Sequence, residues 1–166
     1  MNNTIFATEF LKELDAEASA SRKCLERIPE KLFGWKPHER SMTMGYLALL
    51  VAGIPKWISY VIEKGEIDFA TFPQFQAKTS ADLVKHFDEN LIGARESLQK
   101  TSDDALSELF SLKNQGQVLF SSPKKETVGQ SINHLVHHRG QLTIYMRLND
   151  IPVPSIYGPS ADDKTF

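Results

Sequence analysis

The chain has 166 residues, with 41% hydrophobic and 24% charged side chains, which suits a single globular domain over residues 1–166 and excludes a disordered or low-complexity chain. Nineteen Lys and Arg stand against 21 Asp and Glu, a net charge of -2, so no sequence-wide attraction to nucleic acid is expected. Cys24 is the only cysteine, which rules out an intrachain disulfide and a cysteine-cluster metal site.

At the N-terminus, Phe6, Phe10, Leu14, Leu25 and Ile28 recur at spacings of three, four or their sums. Lys12, Glu13, Asp15 and Glu17 lie between them, so an amphipathic helix is predicted over about 4–28, ending before Pro29. Glu9, Lys12 and Glu13 break any leader-like apolar run, so the segment reads as mature structure and the protein as cytoplasmic. Residues 29–41 read as a connector. A second helix is predicted over 43–64, closed by Gly65 and carrying Pro55, which deletes the amide that would donate to the Val51 carbonyl. Its apolar run, Tyr46 to Ile54, is far short of the ~20 residues a membrane span needs, and no membrane segment is expected.

Residues 66–78 hold Phe69, Phe72 and Phe75 and read as a long surface loop, anchored on the core or forming a pocket wall. Thr79 and Asp82 resemble a capping box opening a third helix over 80–101, lined by Leu83, Phe87, Leu91, Ala94 and Leu98. Ser102 to Asp104 can cap one more short helix. The alternation from Phe110 to Phe120 around Asn114-Gln115-Gly116 fits either a small hairpin or an extended loop. Ser122-Pro123 opens a fourth long helix, 123–148, with Lys124, Lys125 and Glu126 read as its solvated first turn; a Pro-rich tail, 151–166, follows. Four amphipathic helices, each able to bury one stripe only against the others, predict an all-α four-helix bundle with one or more long crossover connections.

Chemistry concentrates in the last helix. At about 100° per residue, Thr127, Gln130, Ser131, His134, His138, Gln141 and Tyr145 share one arc, beside the apolar arc of Val128, Ile132, Leu135, Leu142 and Met146. His134 and His138, four apart, can converge on one zinc or nickel ion; equally, they can be partly buried polar groups bonded to each other, to Gln141 or to water. His137 points away and should be exposed. Arg139 falls among the apolar positions, so it needs a carboxylate partner or a subunit interface.

The run His134-x-x-x-His138-Arg139-Gly140-Gln141-Leu142, with Tyr145-x-Arg147-Leu148 and Val153-Pro154-x-x-Tyr157-Gly158-Pro159-Ser160-Ala161-Asp162, resembles the C-terminal signature of DinB-like proteins. Ser41-Met42-Thr43-Met44-Gly45-x-Leu47-Ala48 and Val51-Ala52-x-x-Pro55-x-Trp57 are similar to the same family's second helix. The resemblance implies a four-helix bundle, usually a homodimer, whose divalent metal is held by one histidine of the second helix and the H-x-x-x-H pair. It also implies, for active members, thiol S-transferase or isomerase chemistry with low-molecular-weight thiols other than glutathione.

Where that pattern places the second-helix histidine this chain has Leu50, and a frequent acidic position is Gly53. The expectation is therefore a degenerate site: His134 and His138 as two remaining ligands, Leu50 at the third, and a small-molecule pocket built from Leu50, Trp57, Gln141 and Tyr145. No catalytic residue is assigned. His38 and His86 are poor substitutes, one in a Pro-flanked connector and the other flanking the apolar line of its helix. A metal-dependent transferase or hydrolase using His134 and His138, and a metal-free acid/base catalyst using His138 with Tyr145, are the competing readings.

Overall fold

The computed structural model describes residues 4–165; Phe166, the last residue of the predicted tail, lies outside them. Four long helices, α1 (Ile5–Glu26), α2 (Met44–Lys64), α3 (Ser80–Lys100) and α5 (Lys124–Leu148), are joined by a short α4 (Asp103–Ser107) and three strands, β1 (Glu66–Asp68), β2 (Leu109–Asn114) and β3 (Gln117–Pro123). The long helices pack in the cyclic order α1, α3, α2, α5, so α1 faces α2, and α3 faces α5, across a diagonal. The links from α1 to α2 and from α3 to α5 therefore cross the end of the helix layer, which explains their length.

The expectation of a purely all-α chain is corrected by the sheet, whose order is β1-β2-β3. β2 and β3 form a hairpin turning at Gln115 and Gly116, both at positive φ (50° and 79°), as a two-residue turn between twisted strands requires. β1, read from sequence as loop, pairs parallel to β2 through Glu66 to Asp68. Three residues are too few to show a period, and the pairing partner lies more than 40 positions away. Ile67 and Phe110 turn inward beneath the helices, while Leu109, Val118, Leu119 and Phe120 stay exposed.

Local signals set the helix ends. Thr43 caps α2 by accepting from the Tyr46 amide, and Gly65 closes it in the left-handed conformation at φ 68°. Thr79 and Asp82 form a full capping box on α3. α1 is different, because its cap comes from far away. Buried Asp103 of α4 accepts the Ile5 and Phe6 amides at 2.9 and 3.0 Å. Pro55 is accommodated inside α2, where Asn90 of α3 donates to the nearby Ala52 carbonyl at 3.0 Å.

By length and composition α2 could cross a membrane, but it lies between α3 and α5 with Met44, Leu47, Val51, Ile58 and Val61 fully buried. Its apolar character is that of a core helix. Of the residues that periodicity places on the core face of α1, Leu14, Leu25 and, just past its end, Ile28 are buried while Phe6 is exposed; Ala7, Ala18, Ser21 and Cys24 complete the buried face. Burial pushes the Cys24 thiol up to about 11, against the pull of Arg139 and Arg27, so it is an inert packed group. Lys124 is also corrected: it is buried, with its ammonium 2.7 Å from Glu108, because the hairpin returns the chain against the start of α5.

Candidate functional site

α5 places Val128, Ile132, Leu135, Leu142 and Met146 wholly in the core, and its neighbouring polar arc runs along the edge of that core. On that arc His138 is buried and His134 half-buried, with Nε2 atoms 2.7 Å apart. The second ring nitrogen of His138 lies 2.8 Å from the Gln141 carbonyl oxygen. That oxygen can only accept, so in the neutral pair His138 carries its proton on Nδ1 and His134 donates from Nε2. A directed chain results, from His134 to His138 to Gln141. Burial, and then the neighbouring His138 and His137, hold the His134 pKa below the ordinary 6.5.

Trp57 of α2 meets His134 edge-on at 6.1 Å between ring centres. It forms the floor of a cavity of about 210 Å3 walled also by Leu50, Gly53, Lys56, His86 and the aromatic loop after β1. Phe69 and Phe72 pack on Trp57 at 6.1 and 5.9 Å, and Phe75 stacks flat on His86 at 3.8 Å. The loop phenylalanines thus do both things foreseen for them, fastening the loop and lining a cavity. A second cavity of about 250 Å3, walled by Phe110, Leu112 and Phe120, lies against the same Trp57 and His134. A larger open groove beside α3, about 490 Å3, is a surface feature whose acids Glu26, Asp88 and Glu89 are already paired, the first two with Arg22 and the third with Lys85.

Of the residues singled out from sequence, Leu50, Trp57 and His134 meet at one cavity, and His138 and Gln141 stand behind His134. Tyr145 is elsewhere. Its hydroxyl donates to the Met42 carbonyl at 3.3 Å and its ring meets Trp35 edge-on, so it takes no part in the histidine chain or the cavity wall. Gln141 likewise lines no part of the cavity. His137 is exposed, and His38 is exposed in its connector, accepting the Arg40 amide. Sequence reasoning missed the placement of His86 and Lys56 on the cavity. No local pattern could have found it, because the cavity is assembled from α2, α3, α5 and the loop after β1.

The donor set does not fit a metal centre of three protein ligands. Two imidazole nitrogens bound tetrahedrally at ~2.0–2.1 Å from one zinc lie about 3.3 Å apart. The observed 2.7 Å is instead the length of a direct hydrogen bond. Among the described residues no three His, Cys, Asp or Glu side chains converge, and Leu50, on the wall of the same cavity as His134, carries no donor atom in its side chain.

The fold and site together define a helical protein with a histidine pair beside an apolar, aromatic-walled cavity. Residues 1–165 match the DinB family model, and the chain belongs to that family. It is 26% identical to the uncharacterized protein YrdA of Bacillus subtilis (strain 168) over 157 residues, 93% of this chain and 89% of that one. Its fold is similar to the crystal structure of a DinB-like protein from Bacillus cereus ATCC 10987, with a TM-score of 0.71 and 22% identity over 95% of this chain and all of that one. It is also similar to that of the DinB-like protein YjoA from Bacillus subtilis, with a TM-score of 0.68 and 16% identity over 87% of this chain and 95% of that one.

Proposed function

We propose that this chain is a DinB-family protein, a four-helix bundle with an added sheet, that has lost its metal centre and binds a small molecule in the cavity beside His134. The reading is carried by one observation, the direct 2.7 Å bond between the two histidines, and it is supported by Leu50 standing where the family pattern implies a third ligand. In the bond between the two imidazoles the His138 Nε2 lone pair is spent on the His134 proton, so neither Nε2 atom is free for an ion. We further propose a cytoplasmic homodimer, to be checked by light scattering of the purified protein.

The test is metal analysis of protein purified without a histidine tag, together with its melting temperature with and without chelator. Far less than one equivalent of zinc or nickel and an unchanged melting temperature are expected, because an ion held only by the native state raises stability by mass action. Close to one equivalent, lost on His138→Ala, would overturn the proposal. It would return the chain to a second reading, a metal-dependent thiol S-transferase or hydrolase using His134 and His138. One feature favours that alternative: Gln141 orients His138 as outer groups orient metal-bound imidazoles.

A further inference from the structure

Resting on the small-molecule reading above, we propose that the cavity selects a monocarboxylate with a compact apolar body, such as a single-ring aryl acid or a short-chain acid, and that Lys56 is the group that recognises its charge. The cavity wall is aliphatic and aromatic apart from a few polar side chains, and Lys56 is its only residue of full charge; no Asp or Glu lines it. Among the described residues Lys56 has no carboxylate partner within salt-bridge distance. Its ammonium instead rests over the rings of Tyr60 and Phe72 at 5.8 and 5.7 Å. Glu89, the acid whose charge reaches His86, is paired with Lys85.

A half-buried cation held over aromatic faces, without an anion, is an unfilled half of a charge-assisted pair. His86 adds a second polar contact. Its Nε2 faces the open space above Gly53, where even a Cβ would remain 4.0 Å away, and Phe75 fixes the plane of its ring. Burial, then the Lys56 charge, hold the pKa of this imidazole below the ordinary 6.5, as burial holds that of His134 on the same wall, so the site offers one cation and two neutral rings. That donor set matches a single carboxylate. Phosphate would need more positive charge than one ammonium supplies, and no Arg lines the cavity. At about 210 Å3 the space is below the ~300–1,000 Å3 of drug-sized sites, which limits the body to one ring or a short chain.

Titration of the full chain with 3-phenylpropionate, its neutral amide and inorganic phosphate, followed by Trp fluorescence and ligand-observed NMR, tests this. The acid should bind at least about tenfold more tightly than the amide, the scale of one charge-assisted contact, and phosphate should not bind. Lys56→Met, with an unchanged melting temperature, should bring the acid down to the affinity of the amide and leave the amide unaltered. Gly53→Leu, which fills the space before His86, should remove binding of both. Equal affinities for acid and amide, or an acid preference that survives Lys56→Met, would overturn the role of Lys56 while leaving the pocket intact. Binding of neither compound would overturn the small-molecule reading itself.

Discussion

Arg139 and His138 are consecutive residues of one helix, and both are buried, yet they live in opposite physical situations. Arg139, only 2% exposed, turns towards α1, where its guanidinium lies 2.5 Å from the Glu17 carboxylate. It also donates to the Glu17 carbonyl, to Ser21 and to the Tyr157 hydroxyl, which itself bonds to the Glu17 carboxylate at 3.0 Å. Both terminal nitrogens of the guanidinium meet acceptors supplied by the chain, and the C-terminal tail is fastened across α1 and α5 as a result. His138 turns the other way, into a chain that ends at His134, on the wall of a cavity. A closed network such as that of Arg139 specifies the fold. A polar chain that opens onto unfilled apolar space leaves capacity for something that the protein does not contain.

The largest effect that could break this contrast is removal of one member of the closed network. Glu17→Ala should cost ~3–5 kcal/mol in urea denaturation, because it strands a buried guanidinium. A loss below about 1 kcal/mol would mean that the network is not closed. Next, Leu50→His supplies the missing nitrogen donor, and excess zinc should raise the melting temperature of this variant by several degrees while leaving the parent unmoved. An unresponsive variant would show that the histidine pair cannot open to admit an ion. Tyr157→Phe removes a hydroxyl that both donates to Glu17 and accepts from Arg139, for a loss of about 1 kcal/mol by the same denaturation assay.

The smallest effect belongs to pH. The native His134 pKa lies below its ordinary 6.5, so the unfolded chain binds the proton more readily. Stability is then full above about pH 6.5 and declines as pH falls through the native value. His134→Ala should flatten that decline in part, since buried His86 is shifted in the same sense and remains. Stability curves at a series of pH values would check this, and an unchanged slope would remove His134 as a contributor.

The four long helices were legible because caps and periodicity are local. Thr43, Gly65, Thr79 and Ser102 each mark an end that depends on the hydrogen-bonding needs of a few neighbouring residues. The histidine pair was legible for the same reason, since residues four apart on a helix must meet. β1 was not, because a three-residue strand has no pattern of its own and exists only through its distant partner. Nor was the inward turn of Lys124, which depends on where the hairpin delivers Glu108.

Sequence by itself therefore determined the helices, the family signature and the pairing of His134 with His138, all of which are properties of a single stretch of chain. Tertiary structure alone decided that Arg139 meets Glu17, that Tyr145 turns away from the histidines, and that Lys56, His86 and the loop phenylalanines surround one cavity. The reason is physical. Helical spacing fixes the angle at which a side chain leaves its own axis, whereas its partner is fixed by the packing of helices whose order in space, α1-α3-α2-α5, differs from their order in the chain.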